Sequence, residues 1–480
     1  MRKHLTLYFS IMHFSKKHCW IGCSAIIICA LVALIAWWLW PKNYADMIPA
    51  QAKAVVRIVP SELANSPLKN VNPIEKALRL KPDGIDLKSP VYAFVTPNEY
   101  IGFTAKVEDK DAIINQINKL VKLKKCAPIE YIDGQAWIWI NAGWLATCTD
   151  NTLLILGPGV AQERDVLRQT MTAMINTGDT FTSTDNFKKL KEQTGGIQLF
   201  AQLDAMPTPY NLLFRLAIPA DCDPAAVNVF ATANIKQNEA KQCVTTITST
   251  LTSENDDILA AIDQYEREKG CISLPTTSEQ QAPLFALSTR TQGKPLLKLL
   301  KTDATLRGLL MGLNQTFDAD QMLGSTDGLF SIEIDSLAGD WTPIYCMKAE
   351  TQAKNLFDNA DYWMKCAKKQ KNVTLKRISP NAFVLNSDKQ QLHFGLNAAN
   401  TALYFASATM LQKAEVPFNV TKTDSKEGVL VYFNLNLKKF FQQPCVKSKG
   451  ASSLIQMLIP GSKRVCYQAT TGRKATLTIE

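Results

Sequence analysis

The stretch that most constrains this chain lies near its start, Cys19 to Trp40, CWIGCSAIIICALVALIAWWLW, with no charged residue and no proline. As a helix rising about 1.5 Å per residue, it is long enough to cross a hydrocarbon core about 30 Å thick. Arg2, Lys3, Lys16 and Lys17 precede it, Lys42 follows it, and the first acid of the chain is Asp46. Positive charge is retained on the cytoplasmic side, so the amino terminus is expected inside and the rest of the chain exported. Trp20 marks one end of the stretch and Trp37, Trp38 and Trp40 the other, where amphipathic indoles settle among lipid headgroups. A cleaved signal peptide fits less well. Its apolar core runs about 7–15 residues and ends at a small-x-small site, whereas PKNYA follows here. The expectation is a basic cytoplasmic segment over 1–18, a transmembrane signal anchor over 19–40 and a tether over 41–52.

Beyond the tether there is enough chain for two or three domains with cores of their own. Of the formal charge of +10, five positive charges lie at or before Lys42 with no acid among them, so the remainder carries +5. That mild excess gives no electrostatic footprint for nucleic acid. Nine cysteines lie beyond the apolar stretch, and none forms C-x-x-C. Only one histidine, His393, accompanies them, so a Cys/His metal site has almost no material, and no cofactor is expected. Cys126/Cys148, Cys222/Cys243, Cys346/Cys366 and Cys445/Cys466 are each separated by about twenty positions, which makes them candidate disulfides in an oxidising compartment. Small buried hydrophobes are the alternative, since sequence spacing does not fix Cα separation.

The exported part reads as short strands broken by single helices. VYAFVT and YIGFTAKV form a hairpin around Pro97-Asn98-Glu99, and an amphipathic helix follows over 108–123. Four strands come next, over 129–132, 136–140, 144–148 and 152–156. Trp137-Ile138-Trp139-Ile140 is apolar on both faces, so that strand is expected to be covered on both sides. The same order recurs downstream. Phe103, Lys106, Glu108 and Ile114 align with Tyr345, Lys348, Glu350 and Leu356, YIDGQAWIW aligns with RISPNAFVL, and NTLLIL aligns with NTALYF. The fold expected is therefore α+β: an N-terminal transmembrane helix followed by two similar modules of antiparallel sheet, with helices packed on one face. The modules are placed at 53–275 and 276–480, with PTTSEQQAP as the linker.

Signatures of chemistry in the sequence are few. His393 lies in a predicted strand, QQLHF, and no G-x-S-x-G elbow accompanies it. Ser66-Pro67-Leu68-Lys69 fits S-x-x-K, but its companions S-D-N and K-T-G are missing. Asp318-Ala-Asp320-Gln-Met322-Leu-Gly324 begins like a calcium loop, yet Met322 fills a ligand position and the glycine falls one place late. Gly157-Pro158-Gly159 lacks the lysine of a phosphate loop. Glu333 and Asp335 share a strand face with no matching pair elsewhere.

After the apolar stretch, IPAQAKAVVRI over 48–58 has the form I-P-A-x-A-x-x-V-x-x-I. Together with the preceding segment and the overall length, it resembles a family of membrane-anchored cell-envelope proteins of Bacteroidetes, carried as a domain of unknown function. The resemblance implies location and no activity. Arg57, the odd residue on its strand face, fits an edge position or a buried ion pair. The expectation is a non-catalytic binding or scaffold protein, anchored in the inner membrane with its bulk in the periplasm. Its expected partners are the bilayer, through the N-terminal helix, and an envelope protein or glycan. Two alternatives stay open: an extracytoplasmic hydrolase using Asp, Glu, Lys or Ser, and a lipid- or hydrophobic-ligand-binding protein.

Overall fold

Short apolar runs separated by turn residues make strands, and how those strands pair sets the architecture. The computed structural model describes residues 43–64, 83–140, 143–207, 210–238, 243–272, 282–302, 304–314, 317–367, 373–388, 390–416, 418, 428–447 and 462–480. The first run of strands is β1 (Ala54–Ile58), β2 (Val91–Val95), β3 (Ile101–Lys106), β4 (Glu130–Ile132), β5 (Gln135–Ile140), β6 (Trp144–Cys148), β7 (Thr152–Gly157), β8 (Ile197–Gln202), β9 (Asn228–Gln237) and β10 (Cys243–Thr252). The second is β11 (Phe285–Gln292), β12 (Thr326–Leu337), β13 (Pro343–Thr351), β14 (Val373–Ser379), β15 (Ala382–Ser387), β16 (Gln391–Leu396), β17 (Ala402–Ser407), β18 (Val429–Asn436), β19 (Arg464–Thr470) and β20 (Lys474–Ile479).

Local chemistry fixes the hairpins. Asp133 and Gly134 take φ of +52° and +77° between β4 and β5, the paired positive values that a two-residue type I′ turn needs. At the β2–β3 turn, Thr96 and Tyr100 close the loop, with the Thr96 N–H donating to Tyr100 O at 2.9 Å and the Tyr100 N–H to Thr96 Oγ1 at 3.1 Å.

All pairings are antiparallel. From one edge, the first run is ordered β4–β5–β6–β7–β3–β2–β1–β8–β9–β10. The second run is ordered β14–β15–β16–β17–β13–β12–β11–β18–β19–β20. Its strands therefore neighbour one another in the same relative order as those of the first. β10 then pairs with β20, setting Thr248 opposite Thr476, and among the described residues all twenty strands form one sheet.

Helices cover this sheet where their apolar stripes meet it. On the helix Arg164–Asn176, Leu167, Met171 and Met174 recur at helical spacing and are buried against Phe94, Leu154 and Leu156. Burying such side chains contributes about 1.5–3 kcal/mol each. The largest core is shared by the two strand runs. Phe214, Val229 and Ile262 belong to it together with Trp363, Phe394 and Tyr467. Phe214 and Tyr467 meet edge to face at 5.8 Å.

These observations correct the expected architecture of a transmembrane helix leading two similar sheet modules. The two runs are not separate bodies: β10 and β20 join them edge to edge, and one core crosses the junction. Nor are the helices confined to one face. In the second run Trp363 packs on the side of Phe383 and Phe394, while the Leu411–Glu415 helix packs on the side of Ala382, Cys346 and Tyr404. Neighbouring residues of a strand point to opposite faces, so Ala382 and Phe383 mark the two sides. Among the described residues no helix is long and apolar enough to cross a membrane. Residues 19–40 lie outside the described residues, together with Arg2, Lys3, Lys16, Lys17, Trp20, Trp37, Trp38 and Trp40.

Candidate functional site

The junction of the two runs also builds a cleft. The helix Asp256–Lys269 starts at Asn255, whose side chain accepts the Asp257 N–H at 2.9 Å, and it carries acids in its first turn. Ile258 and Ile262 head its inward stripe. Continued at helical spacing, that stripe places Glu266 and Lys269 inward too, and both are buried. The Glu266 carboxylate accepts the Gly472 N–H at 2.8 Å and the Arg473 N–H at 2.9 Å, in the turn between β19 and β20. Arg473 in turn reaches Asp263, Nη1 to Oδ2 at 3.5 Å. A helix of the first run is thereby clamped to a hairpin of the second. Burial raises the Glu266 pKa above the usual carboxylate value, and the two backbone donors oppose that.

Lys269 sits one turn further on. Its Nζ donates to the Leu216 carbonyl and lies 5.3 Å from the centre of the Tyr265 ring. Burial pulls its pKa down from 10.5 to about 7, only partly countered by Glu266. Tyr265 is pushed up to about 12 by its own burial. Between this helix end and the facing strands lies a cleft of about 160 Å³, lined by Tyr265, Glu268, Lys269, Arg290, Asp327 and Gly328 among others. Arg290 and Asp327 come from adjacent strands, β11 and β12, with Gln292 opposite Asp327.

Gly328 falls at a register irregularity of β12 against β13 and takes φ of +128°. A Cβ there would stand 2.1 Å from Glu350 Oε2, so this close approach requires glycine. Glu350 Oε2 accepts the Leu329 N–H at 2.7 Å and faces Arg290 Nη2 at 3.5 Å. That ion pair is long for a guanidinium and a carboxylate. The cleft thus holds a buried amine whose pKa is pulled down to about 7 and a guanidinium paired with Glu350.

The residues singled out from sequence take other roles. His393 is half-buried on β16, and burial lowers its pKa. Asp318 caps the helix Ala319–Gly324 by accepting the Gln321 N–H at 2.8 Å and also accepts the Tyr362 hydroxyl. Asp320 pairs with Lys301, Glu333 with Lys413, and Asp335 with Lys439. Gly159 donates its N–H to Gly143 O at 2.7 Å. Ser66 and Lys69 lie outside the described residues. Arg57 is not at an edge, because β1 is flanked by β2 and β8, and among the described residues its Nη1 donates to the Gln198 side-chain oxygen, Oε1, at 2.7 Å and not to a carboxylate. On β5, Trp137 and Ile138 are buried, while Trp139 and Ile140 are half-buried.

None of the four candidate disulfides is formed. Cys126, Cys148, Cys222, Cys346, Cys366 and Cys466 are free thiols, which takes at least one member from every pair. Cys126 bridges Ile140 at one end of β5, and Cys148 lies opposite Ala136 at the other. At about 3.3 Å per residue, their Cα atoms lie beyond disulfide reach. Among the described residues no cluster of three or more His, Cys, Asp or Glu side chains is placed to hold a metal.

Residues 80–454 match the family model described as a domain of unknown function, DUF4836. The chain belongs to the DUF4836 family. No curated protein matches it significantly. Among solved structures, crystal form IV of TP0453 aligns with 45% of this chain and 83% of its own at 12% identity, with a TM-score of 0.31. Crystal form I of TP0453 aligns with 50% of this chain and 90% of its own at 13% identity, with a TM-score of 0.31. Likeness at that level assigns neither fold nor function to this chain.

Lys269, Glu266 and Arg290 carry no motif in the sequence. Lysine before Gly270 reads as an ordinary cation closing a helix dipole. The available signal was phase: the stripe through Ile258 and Ile262, extended by helical spacing, reaches Glu266 and Lys269.

Proposed function

We propose that this DUF4836 chain is a non-catalytic binding or scaffold protein of a bacterial cell envelope, of the kind found in Bacteroidetes. In this reading the apolar stretch 19–40 holds it at the inner membrane, and the bulk of the chain stands in the periplasm. The support for location comes from sequence: an uncharged segment of membrane length, basic residues before it and tryptophans after it. The support for binding is a single observation, the continuous antiparallel sheet made by joining β10 to β20. A sheet this broad offers an extended platform for an envelope protein or a glycan. The ionisable side chains first suspected of chemistry are taken up in caps and ion pairs instead.

Chemical crosslinking in native membranes, followed by purification of the full chain, tests the binding reading. The expected result is one partner recovered in a fixed ratio to the chain and lost when the crosslinker is omitted. Recovery of the chain alone, at a crosslinker concentration that captures a known envelope complex, would set the reading aside. Alkaline phosphatase fused after Glu480 tests location, and an inactive fusion in intact cells would reverse the orientation.

A further inference from the structure

The cleft beside Lys269 carries an inference independent of the partner-binding reading. Its volume of about 160 Å³ is close to that of an engineered cavity of about 150 Å³ that binds benzene. That admits a molecule, or the end of a longer one, of a few heavy atoms. The walls mix apolar surface from Tyr265 and Pro295 with charged side chains, which suits a small molecule that carries a polar group. Arg290 presents a planar fork suited to a carboxylate, and its present partner, Glu350, is 3.5 Å away. Lys269 presents a primary amine with one N–H committed to the Leu216 carbonyl, which leaves a lone pair when the amine is neutral. An amine and a guanidinium lining one small cleft match the two ends of a 2-oxo acid.

We propose that the cleft captures small 2-oxo acids, with Arg290 holding the carboxylate and Lys269 forming a reversible imine with the oxo carbon. In the covalent step the Lys269 nitrogen adds to the carbonyl carbon, and the C=O π pair moves onto oxygen to give a carbinolamine. The oxygen then leaves as water, taking both protons that began on the amine, and the C=N bond forms. Nothing is oxidised or reduced, and hydrolysis restores the free amine. Burial favours the step because, by pulling the pKa down to about 7, it raises the share of neutral, nucleophilic amine near neutral pH. Glu266 acts on the amine and the Tyr265 ring lies against it, while Glu268 on the same helix and Arg290 and Asp327 on the facing strands line the cleft with it.

The test is reductive trapping of the full chain with pyruvate and cyanoborohydride at pH 7, with peptide mapping of the adducts. The expected result is an N-alkylated Lys269 at an occupancy well above that of the exposed lysines. Arg290→Gln should lower the pyruvate adduct at Lys269 about tenfold, as expected when one charge-assisted carboxylate contact worth about 1.4 kcal/mol is lost. The same variant should leave the acetone adduct unchanged, and Arg290→Lys should restore part of the pyruvate yield. Lys269→Arg should abolish the adduct at that position while its circular dichroism stays native. Labelling spread over surface lysines without enrichment at Lys269 overturns the proposal. So does equal labelling by pyruvate and acetone in both the parent chain and Arg290→Gln.

Discussion

Replacing Lys269 by Met tests the electrostatics of the junction directly. The folded pKa of Lys269 is about 7, against 10.5 for an unburied lysine. Between those values the unfolded chain binds the proton and the folded chain releases it, so stability rises with pH across that window. Below about pH 7 the folded chain carries the full cost of a buried ammonium; above 10.5 the cost is gone. Each pH unit in the window is worth about 1.36 kcal/mol, so the whole interval is on the order of 5 kcal/mol. Met keeps the length of the side chain but leaves the Leu216 carbonyl without its donor, which costs about 1–3 kcal/mol. Lys269→Met should therefore be more stable than the parent chain at pH 6–7, by about 2–4 kcal/mol, and should lose that advantage toward pH 10. Urea unfolding at closely spaced pH values measures both curves. Tyr265, pushed up to about 12, titrates above the window and so does not distort the difference. Parallel curves for the two proteins would refute the reasoning.

Glu266→Gln removes the carboxylate that holds the Gly472 and Arg473 N–H groups. It should cost about 1–3 kcal/mol and raise hydrogen exchange in the turn between β19 and β20 before it does so elsewhere. Gly328→Ala would force a Cβ against Glu350 at a backbone angle that alanine resists. It should cost about 1–3 kcal/mol from backbone strain alone, whereas Gly134→Ala, with open space around its Cβ position, should cost less in the same unfolding assay.

Local features were legible in the sequence and long-range ones were not. The hairpin around Pro97-Asn98-Glu99 is the β2–β3 turn, and the amphipathic segment 108–123 is the helix Lys110–Lys122, capped by Asp109. Turn chemistry and helical spacing act over a few residues, so a short window contains their causes. The pairing of β10 with β20 joins positions far apart in the chain. Its facing residues, Thr246, Thr248 and Thr250 against Thr478, Thr476 and Lys474, read on their own like any solvent-facing strand. Helix placement on both sides of the second run was hidden for the same reason, because Ala382 and Phe383 both suit burial and only packing shows where each is buried. The cleft draws on a helix end, the end of β11 and the start of β12, and no one window spans all three.

Both the platform reading and the cleft depend on the β10–β20 junction. Thr248 and Thr476 are direct antiparallel partners, and Cα atoms so placed stand about 4.5–5.5 Å apart, within disulfide range. Oxidation of the Thr248→Cys/Thr476→Cys double variant, followed by non-reducing peptide mapping, measures the junction in solution. One continuous sheet predicts a near-complete disulfide between positions 248 and 476 within a single chain, formed without loss of native circular dichroism. Free thiols at both positions, or bonds only between different chains, would contradict it.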